Sequence, residues 1–272
     1  MTLLMPRTLD EALTMLAGSP GAVPAAGGTD LLVRWPAREA GVGKPLLDLS
    51  GLDELRYHDL DADALVLGAR ATYWDVLSDE RVSRAFPLLA AAARQVGAVQ
   101  IQARGTWAGN IVNASPAADG VMALMAYDAV VELRSAAGRE AIPLADFYLG
   151  YRQTRRRPDQ LVTAIRVPRV PRDQERFEKV GSRAAQTISK VGLATCRAAG
   201  EWRVVVNSMA PTVRRCPSLE MALATRGRTT LAEWLPLIRG DLAPIDDLRS
   251  TRVYREEALA RMLHAFDLGG GA

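Results

Sequence analysis

The pattern of apolar and polar positions changes period repeatedly along this chain, and each change marks an element. The opening "RTLDEALTMLAGSPGAVPAAGGTDLLVRW" predicts an N-capped helix from about Leu9 to Leu16, a Gly/Pro turn, a short strand over Ala22 to Ala25 and a glycine loop at Gly27 and Gly28. A helix from Thr29 or Asp30 follows, because Thr and Asp favour helix starts. "KPLLDLSGL" and "ALVLGARATYWDVL" add short strands and another helix. "FPLLAAAARQV", Phe86 to Val96, reads as an alanine-rich helix with almost no polar face, and so as a buried one. In "AVVELRSAAGREAIPL" two apolar runs flank Ala136, Ala137 and Gly138, a hairpin signature.

A further strand, "QLVTAIRVP", ends at Pro168, and the polar, charged "RVPRDQERF" after it places a domain boundary there. Beyond it, "RFEKVGSRAAQTISKVGLATCRAAGEWRVVVNSMAP" predicts strands meeting through turns at Gly181 and Gly200. Helices are expected over Ser218 to Arg226, Thr230 to Arg239 and about Arg252 to Phe266, the last with Val253, Leu259, Met262 and Leu263 on one side. A strand-rich block followed by helices means an α+β architecture for this second half. No internal repeat is visible.

Composition narrows the function classes. At 272 residues and 49% hydrophobic, the chain builds a real core. No apolar run reaches the roughly 18 residues of a membrane span. The start "MTLLMPRTLDEAL" brings acidic residues where a signal peptide would continue apolar, so a cytoplasmic protein is expected. Cys196 and Cys216 lack metal-site spacing and read as ordinary thiols, and two histidines, His58 and His264, support neither a metal site nor a catalytic triad. A net charge of +3 from scattered arginines does not imply nucleic acid. The densest basic run, Arg155 to Arg157, has no interleaved aromatics and reads as a solvated turn.

One stretch fits none of this. "IQARGTWAGNIVNASPAADG", Ile101 to Gly120, is long, small and almost uncharged, with no clear helical or alternating period. Such a segment suggests backbone packed closely against something, since surface loops are normally polar. Gly105-Thr106 and Gly109-Asn110 lie within it, and Gly27-Gly28-Thr29-Asp30 lies between a strand and a helix. Glycines let main chain approach a ligand and leave N–H groups for anions, so the two loops together suit a diphosphate. Either loop alone is equally a tight turn. Neither matches GxGxxG or the GxxxxGK[ST] phosphate loop.

"AGGTDLL" followed by "RGTWAGNIVNASPAAD", then "FEKVGSRAAQTISKV", "MAPTVRR" and "DLRSTRVYREEALARML", resembles the flavoprotein subunits of the molybdenum hydroxylases, relatives of xanthine and carbon monoxide dehydrogenase. The resemblance implies a two-subdomain FAD-binding domain of the vanillyl-alcohol-oxidase-like (PCMH) type over residues 1–168, split into about 1–52 and 53–168. A smaller α+β domain, like the C-terminal domain of the carbon monoxide dehydrogenase flavoprotein, would take residues 169–272. It also implies roles for particular residues. Val23, Pro24, Ala25, Ala26, Gly27, Gly28, Thr29, Asp30 and Leu31 would wrap the FAD diphosphate with Gly105, Thr106, Gly109 and Asn110. Val96, Gly97 and Ile101 would lie along the cofactor, and Asn113, Ala118 and Asp119 against its nucleotide portion, with Asp119 accepting ribose hydroxyls. Leu161 and Val162 would sit beside the flavin ring, and Lys179 would reach in from the second domain. Taken alone, Asp119 reads as a helix N-cap and Lys179 as a solvated strand residue.

The chain departs from the family at Ala108, where glycine is common, at Ala103, where a polar residue is, and at Trp107, bulkier than the usual aliphatic and expected in the core. A position 108 that needed positive φ would weaken FAD binding. The four-cysteine insertion that would hold an extra iron–sulfur cluster is missing. The implied function is an electron-transfer subunit that carries FAD and works with a molybdenum-cofactor large subunit and a 2Fe–2S small subunit in a dimer of heterotrimers. NAD, oxygen or a quinone would be the acceptor, and "SRAAQTISKV" leans towards a purine or other N-heterocycle as substrate. A cofactor-free scaffold subunit and a free-standing flavin oxidase are the alternatives.

Overall fold

The computed structural model describes residues 2–34, 44–225 and 230–269. The chain opens with β1 (Leu3–Leu4), α1 (Leu9–Gly18), β2 (Val23–Ala25), the single turn α2 (Leu31–Arg34) and β3 (Leu46–Asp48). Thr8 caps α1 by accepting the Glu11 N–H, and Leu9, Ala12, Leu13 and Leu16 form its buried stripe. β3 pairs in parallel with β1 and β2, giving a three-stranded sheet in the order β1-β3-β2.

A second unit follows: β4 (His58–Leu60), β5 (Ala64–Gly68), α3 (Tyr73–Ser78), α4 (Glu80–Ala85), α5 (Pro87–Gln95), α6 (Val99–Gln102), α7 (Trp107–Asn113) and α8 (Asp119–Ala126). It continues with β6 (Val130–Ser135), β7 (Gly138–Pro143), β8 (Tyr148–Gly150), β9 (Gln153–Thr154) and β10 (Leu161–Pro168). β4-β5-β10-β6-β7 form an antiparallel sheet, with the expected hairpin joining β6 to β7.

The last unit is β11 (Gln174–Val180), β12 (Val191–Ala198), β13 (Glu201–Asn207), β14 (Arg214–Arg215), α9 (Pro217–Thr225), α10 (Leu231–Asp241) and α11 (Arg252–Gly269). Its antiparallel sheet has one apolar face on α8 and the other on α9–α11. On β12, Val191 and Leu193 belong to the core around Trp234, Leu259 and Leu263, whereas Ala194 and Cys196 join the larger core built by the first two units. A strand covered on both faces reads apolar at successive positions.

Several expectations are corrected. The stretch from Ile101 to Gly120 is not irregular backbone but runs through α6, α7 and the start of α8. Every residue of α8 is buried, so no polar face exists to mark a helical period. The small residues let the helices close up: a Cβ on Gly120 would lie 3.2 Å from both the Trp107 and the Tyr73 rings. The Asp119 N-cap reading also fails, since Ala118 is the N-cap and Asp119 the first helical residue.

Gly181 makes no tight turn. β11 and β12 are joined by residues 181–190, whose Thr187 side chain packs on Gly181. Val253 is exposed, while Leu259, Met262 and Leu263 are buried as expected. The predicted end of the first C-terminal helix, Arg226, lies outside the described residues, as do residues 35–43. Trp107 is fully buried, its Nε1 donating to Thr72 O at 3.1 Å. Ala108 has ordinary helical backbone within α7 and a negative φ, so its methyl brings no strain.

Both thiols are buried. Burial pushes the Cys196 thiol up to about 12 and the Cys216 thiol well above its usual value. Because the thiolate is the reactive form, neither cysteine is expected to react with a disulfide reagent at pH 8 in the native chain, and both should react after unfolding. A native cysteine that titrates promptly would contradict this burial.

Candidate cofactor-binding cleft

The two glycine loops, far apart in sequence, touch. A Cβ on Gly27 would fall 1.9 Å from the carbonyl oxygen of Arg104, so only glycine permits this backbone-to-backbone approach. Gly105 meets the first loop less tightly, with Thr29 Oγ1 3.4 Å from where its Cβ would be. Asn113 Nδ2 donates to Asp30 Oδ1 at 3.1 Å, tying the end of α7 to the first loop. Gly28 has φ +73°, a left-handed conformation that favours glycine.

Donor placement differs between the loops. The Gly109 N–H is taken by the Thr106 side chain at 3.0 Å, which caps α7. Among the described residues, the N–H groups of Gly27, Gly28 and Thr29 have no hydrogen-bond acceptor. The second loop's Gly109 amide thus serves the helix cap, while its Thr106 and Ala108 N–H groups, like those of the first loop, have no acceptor among the described residues.

Two cavities of about 560 and 820 Å³ share Asp30, Val96, Asn110, Asn113 and Arg152 as a common wall, and the glycine loops line the first of them. The first is lined by Val23, Pro24, Ala26 to Leu31, Ile101, Gly105, Thr106, Gly109, Leu161 and Val162. The second lies between α8 and the C-terminal sheet and takes in Gly97, Ala118, Asp119 and Lys179. Of the residues that the sequence puts forward, Ala25 alone lines neither cavity: it lies in β2, its carbonyl accepting from Leu49 N at 2.8 Å.

Asp119 is not the helix N-cap and Lys179 is not solvated; both line the second cavity, Lys179 reaching it from β11. Lys179 Nζ donates to Asp119 Oδ2 at 2.6 Å and to Gln95 O at 3.1 Å, and its side chain is only 2% exposed. Asp119 Oδ1 accepts from Ser189 Oγ and Asn207 Nδ2, both at 2.8 Å. The carboxylate is thus engaged on both oxygens, and the lysine is a buried ion-pair partner that joins α8 to β11. Nearby, Arg255 donates to Lys190 O, Ser208 O and Asp247 Oδ1, closing the C-terminal wall of the second cavity.

Sequence reading missed Tyr73, Val112, Arg152 and Arg156 in the first cavity and the loop residues Thr187 to Ser189 in the second. Burial, with the Asp119 carboxylate nearby, pushes the Tyr73 phenol above its usual range, so its hydroxyl stays protonated. Only the Arg155–Arg157 run carried any signal for the arginines. Neither His58 nor His264 lines either cavity, and no group of metal-ligating side chains is present among the described residues.

The cavities suit a long two-ended ligand with an anionic middle. Free amides stand in the first loop, and Asn110, a residue of the shared wall, has its Oδ1 buried beside Gly120 without a hydrogen-bond partner. A buried acceptor in that state is normally satisfied by a donor from water or ligand. The fold is α+β, and the cleft is made of two cavities that share one wall.

Comparison with known proteins gives the family. Residues 1–170 match the FAD-binding domain of molybdopterin dehydrogenases, and the chain belongs to that family. It is 29% identical over 265 residues to the xanthine dehydrogenase FAD-binding subunit of Escherichia coli O157:H7, covering 94% of this chain and 90% of that one. It is 35% identical over 190 residues to the glyceraldehyde dehydrogenase medium chain of Sulfolobus acidocaldarius, covering 69% and 66%. Among solved structures, carbon monoxide dehydrogenase of Hydrogenophaga pseudoflava matches with TM-score 0.88 and 26% identity over 97% of this chain and 94% of that one. The chain is an oxidoreductase subunit. No helix among the described residues is long and apolar enough to cross a membrane.

Proposed function

We propose that this chain holds FAD in the two joined cavities and relays electrons from 2Fe–2S clusters of a small subunit to an external acceptor: NAD, oxygen or a quinone. The observation that carries the reading is the close packing of the two glycine loops on the first cavity, with the Asn113–Asp30 hydrogen bond between them in the wall shared by both cavities. Bound FAD supplies the ability to exchange electrons singly with an iron–sulfur centre and in pairs with a two-electron acceptor. The protein's own residues bind and orient. The amides of Gly27, Gly28 and Thr29 take the diphosphate, Asn110 and Asn113 give the shared wall its polar groups, and Leu161 and Val162 provide an apolar surface.

Substrate oxidation belongs to a molybdenum-cofactor large subunit, with the three chains forming a dimer of heterotrimers in the cytoplasm. An N-heterocyclic substrate is favoured, since relatives include proteins named for xanthine, nicotinate and caffeine, although others are named for glyceraldehyde and carbon monoxide.

The test is visible absorbance of the purified chain, then acid release and chromatography of its cofactor. Released FAD near one per chain, with no turnover of substrate by the chain alone, is the expected result. A folded chain that stays colourless after incubation with FAD would sink the reading in favour of a scaffold subunit. Flavin reduction by substrate in the lone chain would favour a free-standing oxidase.

A further inference from the structure

The run Arg155-Arg156-Arg157 is not a uniform solvated turn. Its outer members are pinned on the protein: Arg155 Nε donates to Asp146 O at 2.6 Å, and Arg157 pairs with Glu140 at 3.0 Å and with Asp159 at 3.5 Å. Arg156 is different. It is half-buried, lines the first cavity, and makes no salt bridge among the described residues. Nη1 donates to the carbonyls of Arg157 and Gln160 at 3.0 and 2.7 Å, which fixes the side chain while Nε and Nη2 have no protein acceptor among the described residues. Desolvation weighs against this cation and pulls its pKa below the usual arginine value, with Asp159 opposing.

A half-buried cation without an ionic partner is partly desolvated, a cost that an anion in the cavity would offset. The first cavity's other charged side chains are Asp30, on the first glycine loop, and Arg152, which donates to Asn113 Oδ1 at 3.2 Å. The glycine loops lining this cavity add amides but no cation to it. Adenine, ribose and the oxidised flavin ring are neutral, so the formal negative charge of FAD resides on its diphosphate.

We propose that Arg156, assisted by Arg152, is the cation that pairs with the diphosphate of the dinucleotide in the cavity that the first glycine loop also lines. This assignment rests on the FAD reading and adds to it a residue outside both glycine motifs. A guanidinium suits the role because its planar fork matches phosphate oxygens.

The experiment measures equilibrium binding of FAD, riboflavin, ADP and adenosine to the full chain, stripped of cofactor, in native, Arg156→Met and Arg156→Lys forms. Arg156→Met should weaken FAD about tenfold to a hundredfold, the range of a lost charge-assisted hydrogen bond. ADP should weaken in parallel, while riboflavin and adenosine should change less than about twofold, well under the loss expected of a charged contact. Arg156→Lys, which keeps the charge, should fall between, and the salt dependence of FAD binding should flatten in Arg156→Met.

Unchanged FAD affinity in Arg156→Met would overturn the proposal. So would a loss shared equally by riboflavin, which would mean a disturbed fold or a contact to the ring, or one shared by adenosine, which would place the arginine on the base. A native chain that binds neither FAD nor riboflavin would defeat the FAD reading itself. That outcome is distinct from one in which native binding is normal and the variant is unaffected.

Discussion

Gly27→Ala is expected to strip the chain of flavin. The new methyl carbon would sit 1.9 Å from the Arg104 carbonyl oxygen and 2.7 Å from its carbonyl carbon. These are backbone atoms, so no side-chain rotation relieves the overlap, and the loops must separate by more than an ångström. Overpacking of this kind costs about 1–3 kcal/mol. The binding penalty should exceed that, because the separation breaks the wall that both cavities share, including the Asn113–Asp30 contact. Two alanine variants serve as controls. Gly28→Ala meets only the flexible Leu32 side chain at 3.7 Å and should cost about 1 kcal/mol through its left-handed φ. Gly18→Ala, within α1 and with open space around it, should be neutral or stabilising. Flavin-to-protein ratio and thermal midpoint read the outcome. Full flavin content in Gly27→Ala would mean that the loops do not meet as described.

Lys179→Met should give the largest loss of stability. It leaves the Asp119 carboxylate, itself 7% exposed, without its cation, and removing one partner of a buried pair costs about 3–5 kcal/mol. Ser189 and Asn207 would still donate to Oδ1, which keeps the effect towards the lower end. The double variant Lys179→Met/Asp119→Asn should recover part of the loss, because it removes the buried charge and keeps an acceptor for both donors. Urea unfolding of the native chain and the two variants measures this as a shift in midpoint at constant slope. A single-variant loss under about 1 kcal/mol, the value of an exposed ion pair, would mean that water reaches the lysine.

The helix caps, the β6–β7 hairpin, the Phe86–Val96 helix and the two glycine runs are legible because each depends on residues within a few positions of one another. α8 is not. Its eight buried residues include no polar face, and the covering comes from β12 and β13, which follow later in the chain. The Arg155–Arg157 run was equally opaque. A charge run looks solvated until the fold supplies Asp146 and Glu140 for its neighbours and a cavity for Arg156.

The sequence by itself determined the α+β class, most element positions, the family, and a set of residues that, Ala25 apart, lie along two joined cavities. Tertiary structure alone decided the partners. It set Gly27 against Arg104, placed the Asp119 charge on Lys179 and spent the Gly109 amide on Thr106 while leaving the first-loop amides free. The reason is physical. Capping, turn preference and periodicity are short-range terms that a linear chain displays, whereas close approach and charge pairing depend on which distant segments packing brings within a few ångströms.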